Sequence, residues 1–378
     1  MRITFILPTP NLSGGIKVVA IHARLLAERG HRVTLISQPS AVVPLRRRIK
    51  SLLLGRGWPR DARPRSHLDA TPAEHRMLES RRAPMDADVP DADVVIATWW
   101  ETAEWVNGLG PRKGAKIYFV QGHEVFPHLP VARVEQSYRL PLRKIVVARW
   151  LRDVMRERYG DATAAVVPNA VDHRQFHAPP RGRQDRPTVG FLFSELPLKG
   201  LDIVLTVIRQ LRQDYPALRV ICFGSSPPSG SAVLDPGIEA IVAPPQDEIR
   251  GIYARCDVWL ATSRSEGFNL PAMEAMACRT PVVSTRTGWP AEAVVDGDNG
   301  MLADIDDVEG LVAGVRTILA LTEAAWRQMS DRAFRTVAPV SWEASATGFE
   351  RVLIDACRQP NENAAGSGDR IEGEHADR

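Results

Sequence analysis

Short apolar runs alternate with stretches of helical spacing along most of this chain. The run Ile3 to Leu7 predicts a strand, Pro8 to Ser13 a loop, Gly15 to Arg29 a helix with one apolar face, and Arg32 to Ser37 a second strand, together a βαβ unit. Further apolar runs at Val94–Thr98, Lys116–Val120, Ile145–Val147 and Ala165–Val167 extend the same sheet. The pattern restarts at Thr188–Phe193, with a helix over Leu201–Asp214 and strands at Arg219–Phe223 and Val258–Ala261. Between the two series lies Ala178–Pro187, a proline-rich, charged linker. The expectation is an α/β protein of two Rossmann-like domains facing each other across a cleft, residues 1–178 and 188–340, with no internal repeat. The polar, glycine-containing end, 359–378, reads as disordered.

The densest chemistry lies in Ser265–Val283, S-E-G-F-N-L-P-A-M-E-A-M-A-C-R-T-P-V-V. Pro271 suits the first turn of a helix, where its missing N–H costs nothing, and Ala272–Ala277 are strong helix formers. Cys278 and Arg279 close that helix, and Thr280–Val283 return into a strand. Glu266 then falls in the loop before the helix and Glu274 one turn inside it. The free N–H groups around Phe268, Asn269 and Leu270 point out of the same helix end, a place that attracts phosphate. A diphosphate flanked by two carboxylates that seek hydroxyls describes a sugar nucleotide. Taken alone, two glutamates at this spacing fit equally a helix cap and a solvated surface residue.

The segment closely resembles the E-G-F-G-L-P-x-x-E-A-M-A-x-G-x-P-V-V signature of the retaining glycosyltransferases of family 4, which adopt the GT-B fold. By that resemblance Glu266 approaches the hydroxyls of the donor sugar and Glu274 binds the nucleotide ribose, with Gly267 also on the donor side. Asn269 and Arg279 stand where the family usually has glycine. The opening unit, from Gly14 and Gly15 through Ser37, is similar to the family's first βαβ unit, whose glycine loop approaches the donor diphosphate; Lys17 is either a second contact or a surface lysine. Lys199 and Gly200 match the family's K-G, where the ammonium pairs with the diphosphate. The arginine usually found five residues earlier is Ser194 here, and Arg264 is a candidate substitute. His123, in F-V-Q-G-H-E after a strand, resembles the family's active-site histidine, with Gln121 and Glu124 as neighbours of undefined role. The contexts Y-F-V-Q-G-H-E-V-F-P and Y-R-L-P-L-R-K-I-V-V-A-R-W-L are similar to the polysaccharide and O-antigen rhamnosyltransferase subgroup. V-V-P-N-A-V-D-H-R-Q-F, residues 166–176, matches a segment before the linker, and 341–356 resembles a helix crossing back to the first domain. Thr98, Trp99 and Trp100 end another strand; they line an acceptor cleft or pack into the core.

Composition narrows the setting. The chain has 378 residues, 44% of them hydrophobic, enough for two cores. Its four cysteines form no C-x-x-C pair and no metal-ligand spacing, which suggests a reducing, cytoplasmic compartment. No stretch approaches the ~18 apolar residues of a membrane span. The two D-A-D triplets, Asp86–Asp88 and Asp91–Asp93, lack further ligands, so no metal site and no cofactor are expected. Net charge is +3, but residues 1–180 hold 28 basic against 17 acidic side chains, so the first half is strongly basic. Arg46–Arg65 holds eight basic residues and one acid, with Leu52, Leu53, Leu54 and Trp58 among them. That mixture suits the inner face of an anionic membrane or a lipid-pyrophosphate acceptor, and equally a solvated loop; no nucleic-acid module is evident. The resemblance thus implies a nucleotide-sugar donor and a glycan or lipid-linked acceptor. A sugar-nucleotide 2-epimerase or a non-catalytic sugar-nucleotide-binding protein are the alternatives.

Overall fold

The computed structural model describes residues 1–39, 45–54, 66–228 and 234–358. The first sheet has seven strands: β1 (Arg2–Leu7), β2 (Arg32–Ser37), β3 (Glu74–Met77), β4 (Val94–Ala97), β5 (Ala115–Val120), β6 (Arg143–Val146) and β7 (Ala165–Val166). The second has six: β8 (Thr188–Leu192), β9 (Arg219–Gly224), β10 (Ile238–Val242), β11 (Val258–Ala261), β12 (Val282–Thr285) and β13 (Gly300–Ala303). Twelve α-helices cover them among the described residues: α1 (Gly14–Glu28), α2 (Leu45–Leu53), α3 (Trp100–Gly108), α4 (Val131–Ser137), α5 (Arg149–Tyr159), α6 (Leu201–Asp214), α7 (Ile249–Ala254), α8 (Leu270–Ala277), α9 (Pro290–Ala293), α10 (Val308–Ala320), α11 (Glu323–Val337) and α12 (Trp342–Arg358).

Every strand pair is parallel, and both sheets reverse direction in the middle. The orders are β3-β2-β1-β4-β5-β6-β7 and β10-β9-β8-β11-β12-β13. Such sheets bury both faces, which is why β1, β4, β8 and β11 read as apolar runs rather than as alternation. The edge strands β3 and β10 are half exposed and mixed in polarity, so hydrophobic pattern alone does not reveal them.

In a doubly wound sheet the crevice opens beyond the carboxyl ends of the strands where the order reverses. Here those ends are β1 and β4 in one domain and β8 and β11 in the other. The linker is fastened to the second domain: Arg181 donates to the Cys256 carbonyl and Thr280 Oγ1, and Arg183 to the Leu319 and Leu321 carbonyls. Helix α12 packs on the first domain instead. Phe349 lies against Phe5, Phe119 and His22, and Glu350 pairs with Arg29 and His31 at 2.8 and 2.7 Å. On α2, Ile49 and Leu52, with Leu53 and Leu54 at its end, are exposed. The rest of the basic segment, residues 55–65 with Trp58, and the tail 359–378 lie outside the described residues. No described helix is long and apolar enough to cross a membrane.

Candidate active site

Helix α8 begins at Leu270 with Pro271 in its first turn. Asn269 is its N-cap, held at φ 76°, and its Oδ1 accepts from the Ala272 N–H at 3.3 Å. Arg279, one residue past the C-cap, sits at φ 60°. Both positions where the sequence departs from glycine are therefore left-handed, a conformation asparagine tolerates and arginine does not readily adopt. Arg279 is held there by Asp331, the Ala178 carbonyl and the face of Phe334. Phe268 and Leu270 bury their side chains, Phe268 stacked on Trp289, so they offer the cleft only backbone.

Each carboxylate of the segment has a lysine at 2.7 Å. Glu266 Oε1 accepts from Lys199 Nζ and also from Ser263 Oγ, which closes the loop between β11 and α8 onto the loop after β8. Glu274 Oε1 accepts from Lys17 Nζ, which crosses from α1 of the other domain. Its Oε2 accepts from the Tyr253 hydroxyl at 2.9 Å, and burial together with this carboxylate pushes the Tyr253 pKa well up. Lys17 also sits 5.0 Å from the centre of the Phe176 ring. Lys17 and Glu274 line a cavity of about 250 Å³ at the domain junction.

The two domains come into close contact at Gly267. A Cβ added there would fall inside the Gln121 carbonyl oxygen and 3.1 Å from the Gly122 Cα, so only glycine fits. The Trp150 indole N–H donates to the Gly267 carbonyl at 3.0 Å from the first-domain side, while Glu292 accepts from the Trp150 backbone N–H. The Gln121 amide also faces Gly15, and space is open beside Gly14. These contacts gather the loops after β1, β5 and β11 around one point.

His123 follows β5 at this convergence. Its Nε2 is 2.6 Å from the Tyr159 hydroxyl, and burial, with the charge of Arg158, lowers its pKa, so the ring is neutral near pH 7. Glu124 is buried; burial raises its pKa well above the carboxylate range, and it accepts from the Trp100 N–H, anchoring the start of α3.

Several expected site residues have their side chains engaged by other partners. Thr98 and Trp100 turn their side chains into the core: Thr98 donates to the Ile6 carbonyl, and Trp100 is 4% exposed beneath Arg133. Trp99 is half-buried. Arg264 is committed to Asp202 and Asp306, both at 2.6 Å, so its charge is already neutralised. The D-A-D aspartates are likewise engaged, Asp86 by the Gly110 N–H, Asp88 by Arg82, Asp91 by Arg112 and Lys113, and Asp93 by Arg2. Among the described residues no cluster of histidine, cysteine and carboxylates is arranged to hold a metal ion. Tyr253, Ser263, Trp150 and Tyr159 were not legible as site residues, because each acquires its role only from a partner distant in sequence or from the turn that folds it back.

The model of the family described as glycosyl transferases group 1 matches residues 186–320. The chain is 30% identical over 264 residues to the GDP-mannose-dependent alpha-(1-6)-phosphatidylinositol monomannoside mannosyltransferase of Mycolicibacterium smegmatis, covering 60% of this chain and 68% of that protein. It is 32% identical to the D-inositol 3-phosphate glycosyltransferases of Segniliparus rotundus and Corynebacterium jeikeium, spanning 38% and 53% of their lengths, about half or less, and 43% and 52% of this chain. In fold it is similar to sucrose-phosphate synthase from Thermosynechococcus elongatus, with a TM-score of 0.70 at 16% identity over 94% of this chain and 99% of that one. Anabaena HepE in complex with UDP and glucose superposes with a TM-score of 0.70 at 15% identity over 94% and 100%. The architecture is GT-B.

Proposed function

This chain belongs to the group 1 glycosyl transferases, and from that membership we propose that it moves a hexosyl or deoxyhexosyl unit from a nucleotide-sugar donor to a glycan or lipid-linked acceptor, with retention of anomeric configuration. The observation that carries this reading is the pair of cleft carboxylates, Glu266 and Glu274, each held at 2.7 Å by a lysine.

In this reading the ribose hydroxyls bond to Glu274 and the donor-sugar hydroxyls to Glu266, while Lys199 faces the diphosphate. Departure of the nucleoside diphosphate builds negative charge, and a cation fixed beforehand stabilises that charge at no reorganisation cost. Gly14, Gly15, Gly267 and Asn269 leave room for backbone to approach the donor, and neutral His123 borders the reacting carbon. The leaving phosphate accepts the acceptor's proton on the same face, which yields retention without a second carboxylate opposite Glu266. Because Lys199 supplies cationic charge, no divalent metal is required.

A mannosyltransferase and polyol-phosphate glycosyltransferases among the relatives favour a surface glycolipid or polysaccharide as product, and the sequence around His123 favours a deoxyhexosyl donor such as a rhamnosyl nucleotide. The exposed apolar residues Ile49 and Leu52–Leu54 beside Arg46 suit a peripheral site on the inner face of an anionic membrane. The test is incubation with UDP-, GDP- and dTDP-sugars, with and without lipid extract and with EDTA, followed by proton NMR of the product's anomeric signal. Transfer with an unchanged anomer is expected. Inversion, epimerised donor without transfer, or turnover abolished by EDTA would each refute the corresponding part.

A further inference from the structure

We propose that Lys17 of the first domain supplies the second cation to the donor diphosphate, the charge that Ser194 does not provide from the second. The inference rests on the nucleotide-sugar reading above and assigns a residue to it.

Lys17 lies in the first turn of α1, just after Gly14 and Gly15, and its side chain is 18% exposed. Its ammonium already occupies the cleft, on Glu274 Oε1, with the buried ring of Phe176 beneath it. Phe176 meets Tyr253 edge-on, and Tyr253 holds the other oxygen of Glu274. A first-domain cation is thus delivered to the carboxylate that is to receive the ribose.

Charge balance then selects its role. In the empty cleft the two lysines offset the two glutamates. A bound nucleoside diphosphate adds at least two negative charges in a partly desolvated space, where like charges repel strongly. Lys199 alone, shared with Glu266, cannot balance them. Ser194 carries no charge, and Arg264 is spent on Asp202 and Asp306. When the ribose hydroxyls take Glu274, the Lys17 ammonium is released beside the phosphates. Its four-carbon stem and three donors allow the exchange of a carboxylate for a phosphate oxygen without movement of α1. The alternative role is a latch, in which Lys17 merely holds α1 to Glu274 in the empty protein.

Phosphate dependence separates the two. Calorimetric titration of wild type and Lys17→Met with UDP, GDP and dTDP, and with uridine, guanosine and thymidine, reads the affinity with and without the diphosphate. Methionine keeps the apolar stem over Phe176, and nucleoside binding reports that the site is intact. The expected result is a loss of about tenfold or more in diphosphate affinity, with nucleoside affinity unchanged or improved. In the Ser194→Arg background the loss should shrink to less than about threefold, since the arginine then carries the charge. Equal changes for diphosphate and nucleoside, whether none, a gain or a loss, would overturn the proposal and leave Lys17 a latch. If wild type binds none of the three nucleoside diphosphates, the nucleotide-sugar reading itself fails.

Discussion

The two walls of the cleft come from sheets of the same topology and end differently. After β8 and β11 the second domain sends charged side chains into the opening, Lys199 and Glu266, with Glu274 following on α8. After β4 and β5 the first domain turns its polar groups inward: Thr98 bonds to β1, Glu124 is buried and neutral, and His123 faces Tyr159. One wall is therefore built for ions and hydroxyls and the other for shape, with Lys17 crossing from the second kind to the first. A ligand with an anionic, hydroxyl-rich part and an uncharged reacting part fits such a division.

The largest effect is expected where the walls touch. Gly267→Ala places a methyl group inside the Gln121 carbonyl and forces the domains apart, and displacement of about 1 Å at a reacting centre costs roughly a hundredfold in rate. The transfer kcat/KM should fall by about that factor while thermal unfolding barely changes; full activity would mean that the walls need not meet.

Next is Glu274→Ala, which removes charged hydrogen bonds worth about 1.5–3 kcal/mol and should weaken nucleoside diphosphate binding about ten- to a hundredfold. Calorimetry checks it, and unchanged affinity would make the charged wall a structural ion pair.

The core behind the first wall, between α1 and α12, has its own signature in His22. Its ring nitrogens have no hydrogen-bond partner among the described residues, it stacks 4.4 Å from Phe349, and burial, assisted by Arg29, lowers its pKa to about 3. The unfolded chain protonates near pH 6.5 while the folded one does not, so this contribution to stability is complete above pH 6.5 and is lost as pH falls towards 3. Between pH 7 and 5 the loss should be about 2 kcal/mol. Denaturant unfolding of wild type and His22→Phe across that range measures it, and identical slopes would show that His22 is charged in the fold.

The smallest effect separates a site cation from a surface one. Arg264→Ala removes a half-exposed pair of ion pairs and should alter diphosphate affinity by less than about threefold. A tenfold loss would return Arg264 to the phosphates and dissolve the distinction between it and Lys17.

The charged wall was legible in the sequence because its chemistry is local. Glu266, Pro271 and Glu274 fall within nine residues whose spacing and helix signals fix their relation, and the α8 boundaries follow from Pro271 and Arg279. The strands that carry apolar runs were legible for the same reason. The other wall was not, because exposure decides it: the sequence leaves Trp100 open between cleft lining and core packing, and only its burial beneath Arg133 favours the core. Nothing local marks Tyr253 as the partner of Glu274, or Trp150 as the residue that grips Gly267. Edge strands β3 and β10 escaped because half-exposed strands need no apolar run.

The central claim is that the two lysine–glutamate pairs form a nucleotide-sugar site. Thermal unfolding with increasing UDP-, GDP- and dTDP-sugars, for wild type and for a Lys199→Met, Glu274→Ala double variant, tests it most directly. A ligand that binds only the folded state raises its stability by RT ln(1 + [L]/Kd), about 2.7 kcal/mol at a hundredfold excess over Kd. The expected result is a concentration-dependent rise in Tm with at least one donor in the wild type and none in the double variant. A rise of equal size in both proteins, or none with any donor in the wild type, would contradict it.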